Sequence, residues 1–123
     1  MFTTVFPIIT TADLGTALRF YRDLLGGRVR YEFPGPDGEP GYVALEIGTG
    51  HLGIGRDPGM TAEASPRFSL WVYAEDCDAA VERLRAGGAT IVGEPADQPW
   101  GERLARVLDP DGNTVLIGQA ALG

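Results

Sequence analysis

The order of apolar and polar positions predicts the elements of this chain almost from end to end. Residues 2–9 alternate as a strand does, and Leu14, Leu18, Tyr21 and Leu25 then share one stripe at helical spacing. Thr11 or Asp13 is placed to cap that helix, and Gly26-Gly27 ends it. Residues 28–33 read as a strand before the turn-rich PGPDGEP, and 42–47 and 51–56 as a hairpin across Gly48-Thr49-Gly50. After RDPGMTAEAS, residues 68–74 predict a strand and 77–86 a helix carrying Val81 and Leu84. Residues 90–94 predict a further strand, and 103–108 and 113–119 pair across a turn of strong chemistry, Asp109-Pro110-Asp111-Gly112-Asn113.

The two halves share one grammar. Asp13 and Asp76 each open a helix 63 positions apart, and Ile54-Gly55 and Ile117-Gly118 each close a strand at the same offset. The expectation is an α+β fold of two βαβββ modules forming a curved-sheet cleft: residues 1–56, a linker at 57–66, and residues 67–123. Alternation then divides the strand residues between two faces. Val5, Ile9, Leu52, Ile54, Phe68, Leu70, Val72, Val115 and Ile117 would lie beneath the helices as core. The other face would carry Phe6, Ile8, His51, Gly53, Gly55, Ser69, Trp71, Tyr73, Thr114 and Leu116.

Composition narrows the function classes. The chain has 123 residues, 44% of them apolar, enough for one domain with a real core. No apolar run approaches a membrane span, and MFTTVFPIITT lacks the basic opening of a signal peptide, so a cytoplasmic protein is expected. The single cysteine, Cys77, fits a reducing compartment and excludes an intrachain disulfide. Seventeen acids against ten bases give a net charge of −7, which disfavours nucleic acid and favours a cationic ligand. All ten bases are arginine, so Schiff-base and lysine-base chemistry are closed to it. No nucleophile elbow, phosphate loop or dinucleotide fingerprint is present; GTGHLGIG sits in a hairpin, not at a strand-to-helix turn.

The stretches ITTADLGTALRFYRDLLGG, DCDAAVERLRAGGATI and QPWGERLARVLDPDGNTVLI, in that order, resemble the vicinal-oxygen-chelate superfamily of glyoxalases, dioxygenases and bleomycin-resistance proteins. The opening VFPIITTADL is most similar to the bleomycin-resistance branch. That resemblance implies a homodimer, commonly with the first strand exchanged between protomers. Catalytic members hold a divalent metal at four positions, which fall here near Phe6, Gly53, Ser69 and Leu116. These offer hydrocarbon, no side chain, one hydroxyl and hydrocarbon, so neither a metal, a cofactor nor a catalytic residue is expected. His51, the one histidine, has no convergent carboxylates in the pattern.

The expected ligand-binding residues are Trp71, Tyr73, Trp100, Phe6, Ile8, Phe33, Tyr42, Glu46, His51, Gly53, Ser69 and Leu116. Aromatic planes suit stacking on an unsaturated ligand, and Gly53 and Gly55 would leave room for it. Trp100 and the residues around PGPDGEP would close the rims, and Glu46 would either face a cationic group or stand as an ordinary solvated strand residue. Ordinary roles stay open: Trp71 filling a dimer interface, Trp100 bracing its own loop, His51 a rim hydrogen-bonding residue. The expected function is non-catalytic sequestration of a bulky aromatic or cationic antibiotic. A metal-independent lyase or isomerase and a small-metabolite-binding homologue are the alternatives.

Overall fold

The computed structural model describes residues 1–61, 63, 65 and 67–121. The chain divides into two compact units, Met1–Ala62 and Glu63–Gly123. Part of the expected 57–66 linker and the last two residues of the second module lie outside the described residues.

In the first unit the elements are β1 (Ile8–Thr11), α1 (Leu14–Leu18), β2 (Arg28–Pro34), β3 (Pro40–Ile47) and β4 (Gly50–Arg56). Its sheet runs β1-β4-β3-β2, with β1 parallel to β4 and the other pairs antiparallel. The second unit repeats this with β5 (Leu70–Tyr73), α2 (Cys77–Ala86), β6 (Thr90–Asp97), β7 (Arg103–Leu108) and β8 (Thr114–Gln119), in the order β5-β8-β7-β6. The register reproduces the repeat: Ile8 pairs with Gly53, and Trp71 pairs with Leu116, each residue 63 positions after its counterpart. Caps repeat as well. Asp13 accepts from the Thr16 amide at 3.1 Å and Asp76 from the Ala79 amide at 3.1 Å, satisfying amides that a helix start leaves bare.

Each helix covers one face of its own sheet. Leu14, Ala17, Leu18 and Tyr21 are buried with Val43, Leu45, Leu52 and Ile54; Cys77, Val81 and Leu84 are buried with Ala105, Val107, Val115 and Ile117. Burying these side chains supplies the apolar driving force for each unit, of the order of 2 kcal/mol for each large one. The turn before β8 is held from inside, since Asp109 is buried and accepts from the Asp111 and Asn113 amides at 3.0 and 2.8 Å.

Several expectations need correction. The first strand starts at Ile8, not residue 2, and Phe2, Val5 and Phe6 ahead of it are exposed. Its partner β4 begins at Gly50, so continuing the register would leave residues before 5 with no rung to pair with. Alternation reports an extended preference, not the presence of a neighbour. Val5 and Phe68, expected in the core, are exposed, and both precede the paired part of their strands. The first helix is α-helical only to Leu18, and Arg19–Leu24 is a π-helical stretch in which the Leu25 amide donates to the Phe20 carbonyl at 3.0 Å. The wider turn buries Phe20 and Tyr21 side by side, whereas Leu25, expected on the buried stripe, is only half-buried.

Candidate ligand-binding faces

Each sheet has a second face turned away from its helix, and the expected site residues divide between the two. In the first unit Ile8, Gly53, Tyr42 and Phe33 lie on this face, with Ala44 between Ile8's partner Gly53 and β2. Tyr31 and Phe33 on β2 are exposed, as is Ile8 on β1. Gly53 does not leave an open gap. A Cβ built there would stand 2.3 Å from the Tyr42 hydroxyl oxygen, because the Tyr42 ring lies across the glycine. Gly55, next on the same face, is open.

Glu46 and His51 face each other across β3 and β4. Glu46 is not a bare anion, since both of its oxygens are taken by Arg28 and Arg30. Those bonds, Arg30 first, hold its carboxyl below the ordinary glutamate range. The expected role for Glu46 toward a cation therefore meets a carboxylate already matched twice. His51 is exposed at the end of the same face.

The second unit carries the richer chemistry. Trp71 and Tyr73 project from β5, 41% and 59% exposed, with ring centroids 5.9 Å apart and planes at 61°. The Trp71 ring lies over Gly118 of β8, where a Cβ would come within 2.8 Å of the indole nitrogen. Leu116 is Trp71's cross-strand partner, and Leu104 and Arg106 continue the face on β7.

Trp100 joins them through a tight turn between β6 and β7. The Gln98 amide donates to the Glu102 carbonyl at 2.7 Å and the Gly101 amide to the Gln98 carbonyl at 3.0 Å. Gly101 has φ +98°, a conformation that side chains resist, and it lets Trp100 and Glu102 flank one reversal. Glu102 then accepts twice: from the Tyr73 hydroxyl at 2.8 Å and from the Trp100 indole N–H at 2.7 Å. The first of these bonds holds the Tyr73 phenol above its ordinary range, since losing the proton would set two anions together.

Glu102 is the candidate site residue that sequence reasoning missed. Its proximity to Trp100 is visible in QPWGE, but its bond to a strand 29 residues earlier is a product of the fold. Phe6 and Ser69 lie just outside their strands and are exposed. Cys77 is fully buried, its thiol donating to the Ile117 carbonyl at 3.3 Å, and burial pushes its pKa up. That is a structural thiol, not a nucleophile.

The four positions where catalytic relatives hold a metal do not fit one. Phe6 and Leu116 lack donor atoms, Gly53 is covered by a tyrosine ring and Ser69 has a single hydroxyl. Among the described residues no three His, Cys, Asp or Glu side chains are grouped to hold an ion. No helix among them is long and apolar enough to cross a membrane.

The family model of the Glyoxalase/Bleomycin resistance protein/Dioxygenase superfamily matches residues 3–117. The chain belongs to that superfamily. It is 34% identical over 106 residues to the anthracycline biosynthesis protein DauV of Streptomyces sp. strain C5, covering 85% of this chain but 36% of that protein. It is 30% identical over 122 residues to the uncharacterized protein Rv0887c of Mycobacterium tuberculosis, covering 92% of this chain and 72% of that one. Among solved structures, TioX from Micromonospora sp. ML1 superposes with a TM-score of 0.75 at 24% identity, covering 95% of this chain and 98% of TioX. A bleomycin-binding protein complexed with bleomycin superposes with a TM-score of 0.67 at 22% identity, covering 97% of this chain and 99% of that one. The α+β fold expected from the repeat is the fold these proteins share.

Proposed function

We infer that this superfamily member binds and sequesters a planar aromatic natural product without transforming it. The observation that carries this reading is the second unit's exposed face, where Trp71, Tyr73 and Trp100 present aromatic surface and Glu102 holds Tyr73 and Trp100 in place. Stacking on such rings rewards flat unsaturated ligands, and a prebuilt arrangement avoids the cost of ordering side chains on binding. Two comparisons support it: a relative named for anthracycline biosynthesis, and a shared fold with a protein crystallised with bleomycin. The mismatch of the four metal positions supports binding over catalysis. Ile8, Tyr42, Phe33 and His51 on the first unit's face, and Phe6, Ser69 and Leu116 each in its own unit, remain proposed ligand contacts, whereas Gly53 lies beneath the Tyr42 ring.

The chain acts, in this reading, as a cytoplasmic homodimer. The exposed Phe2, Val5 and Phe6 ahead of β1 are apolar surface that a second copy would cover. Sedimentation analysis reads the dimer directly; a monomer at all concentrations contradicts it. Sequestration is tested by titrating the protein with an anthracycline and with bleomycin while following tryptophan emission, and by growth protection of a sensitive bacterium expressing it. Saturable quenching with protection supports the reading. No saturable binding to either compound, or ligand converted in proportion to time, refutes it.

A further inference from the structure

The turns that precede β3 and β7 are copies of one another with different chemistry. The Gly35 amide donates to the Glu39 carbonyl at 2.6 Å and the Gln98 amide to the Glu102 carbonyl at 2.7 Å, again 63 residues apart, and Gly38 matches Gly101 with a positive φ. In the first unit the turn is tied down by an ion pair: Asp37, at the place of Trp100, meets Arg56 at 2.7 Å. Its carboxylate is matched by a full positive charge. In the second unit Glu102's side-chain partners among the described residues are a phenol and an indole, both neutral donors. They orient the carboxylate and leave its charge uncompensated.

A carboxylate has about four acceptor positions, and two of Glu102's are used. The remaining lone pairs lie beside the O–H and N–H edges of Tyr73 and Trp100, free to accept from a further donor. The nearest arginine on β7, Arg103, is turned to Asp78 at 2.6 Å and Asp97 at 3.0 Å, on the other side of the strand from Glu102, Leu104 and Arg106. Arg106 is exposed four residues further along, roughly 13 Å at strand rise. Along its β7 edge the face therefore runs from Glu102 past Leu104 to Arg106, which shares a rung with Leu116 and Trp71.

We propose that Glu102 sets ligand choice at this face, selecting planar aromatic molecules that carry a protonated amine and seating the ammonium group against its own free lone pairs. This deepens the sequestration reading and rests on it. The amine donates to Glu102's free lone pairs, which supply the opposite charge, and the flat ring system extends over Trp71 toward Leu116. The chain's net charge of −7 draws such a cation in from solution.

The test uses two fluorescent probes of one ring size: 9-(methylaminomethyl)anthracene, cationic at neutral pH, and 9-anthracenemethanol, neutral. The full-length protein should bind the amine more tightly, and the readout is the ratio of the two affinities. Glu102→Gln keeps shape and one acceptor but loses the charge; it should lower the ratio by about five- to tenfold, a charge-assisted bond being roughly twice as strong as a neutral one. Tyr73→Phe keeps the charge and should preserve most of the preference. Circular dichroism of both variants confirms folding. If Glu102→Gln leaves the ratio unchanged, or weakens both probes equally, Glu102 is only a brace and the proposal fails while sequestration stands. If the unaltered protein binds neither probe, the stacking platform fails, and this proposal with it.

Discussion

Placing an alanine at position 118 tests the aromatic face at its base. A Cβ on Gly118 would stand 2.8 Å from the Trp71 indole nitrogen and 3.1 Å from two further ring atoms. Ordinary contact needs about 3.6 Å, so the indole must retreat by roughly 0.8 Å or rotate. Overpacking in a closed core costs about 1–3 kcal/mol, but Trp71 is 41% exposed and has solvent to move into. Alanine also recovers about 0.5–1 kcal/mol that glycine forfeits in a strand. The two effects nearly cancel, giving a net destabilisation of about 1 kcal/mol or less, a few degrees in the thermal midpoint.

The larger consequence is geometric. A tilted Trp71 no longer meets Tyr73 at 5.9 Å, so stacking surface is lost while the fold persists. In a Trp100→Phe background Trp71 is the sole tryptophan, and its emission reports this directly. Gly118→Ala should shift that emission and weaken quenching by an anthracycline at least threefold, with unchanged far-ultraviolet dichroism. Unaltered emission and unaltered affinity would refute the claim that the glycine exists to seat the indole.

Other consequences are separable. Asp109→Ala leaves the Asp111 and Asn113 amides without their acceptor in a half-buried turn and should cost about 1–2 kcal/mol, read by urea unfolding; a loss under about 0.5 kcal/mol contradicts that role. Cys77 should resist alkylation in the native protein and react fully in denaturant; rapid stoichiometric labelling of the folded chain would overturn its assignment as buried structure. The Asp78 carboxyl is held below its ordinary range by its bond to Arg103. Its stabilising contribution is present above the unfolded aspartate range and is lost as pH falls through the depressed folded value. Asp78→Asn should therefore flatten the acid limb of the thermal midpoint against pH, and an identical limb would contradict the pairing. Removing Glu102's charge should let the Tyr73 phenol ionise at lower pH, visible in a spectrophotometric titration.

Much of this architecture is written in local signals. The second helix occupies the expected residues 77–86, β7 matches the expected 103–108, and the 63-residue offset reappears as a strand register linking Ile8 and Gly53 to Trp71 and Leu116. Those features depend on periodicity, caps and turn residues, which act within a few positions. What escaped depends on partners distant in sequence. Residues 2–4 alternate like a strand yet, with the register continued, have no rung to join, and the π-helical stretch after Leu18 breaks the 3.6-residue rule that placed Leu25 inward. Gly53 looked like space and is roofed by Tyr42. Glu46 looked like a free anion and is held by Arg28 and Arg30, while Glu102 drew no notice and anchors two aromatic rings. Charge on a residue is legible in sequence, but whether a partner neutralises it is a property of the fold.

Sequestration without chemistry stands or falls on the fate of the bound compound. Protein treated with a chelator, loaded with an anthracycline and incubated for hours should retain it on gel filtration and release it, on denaturation, at its original mass. Release of an altered mass in more than stoichiometric amount, or conversion that begins on adding back a divalent ion, would make this chain an enzyme.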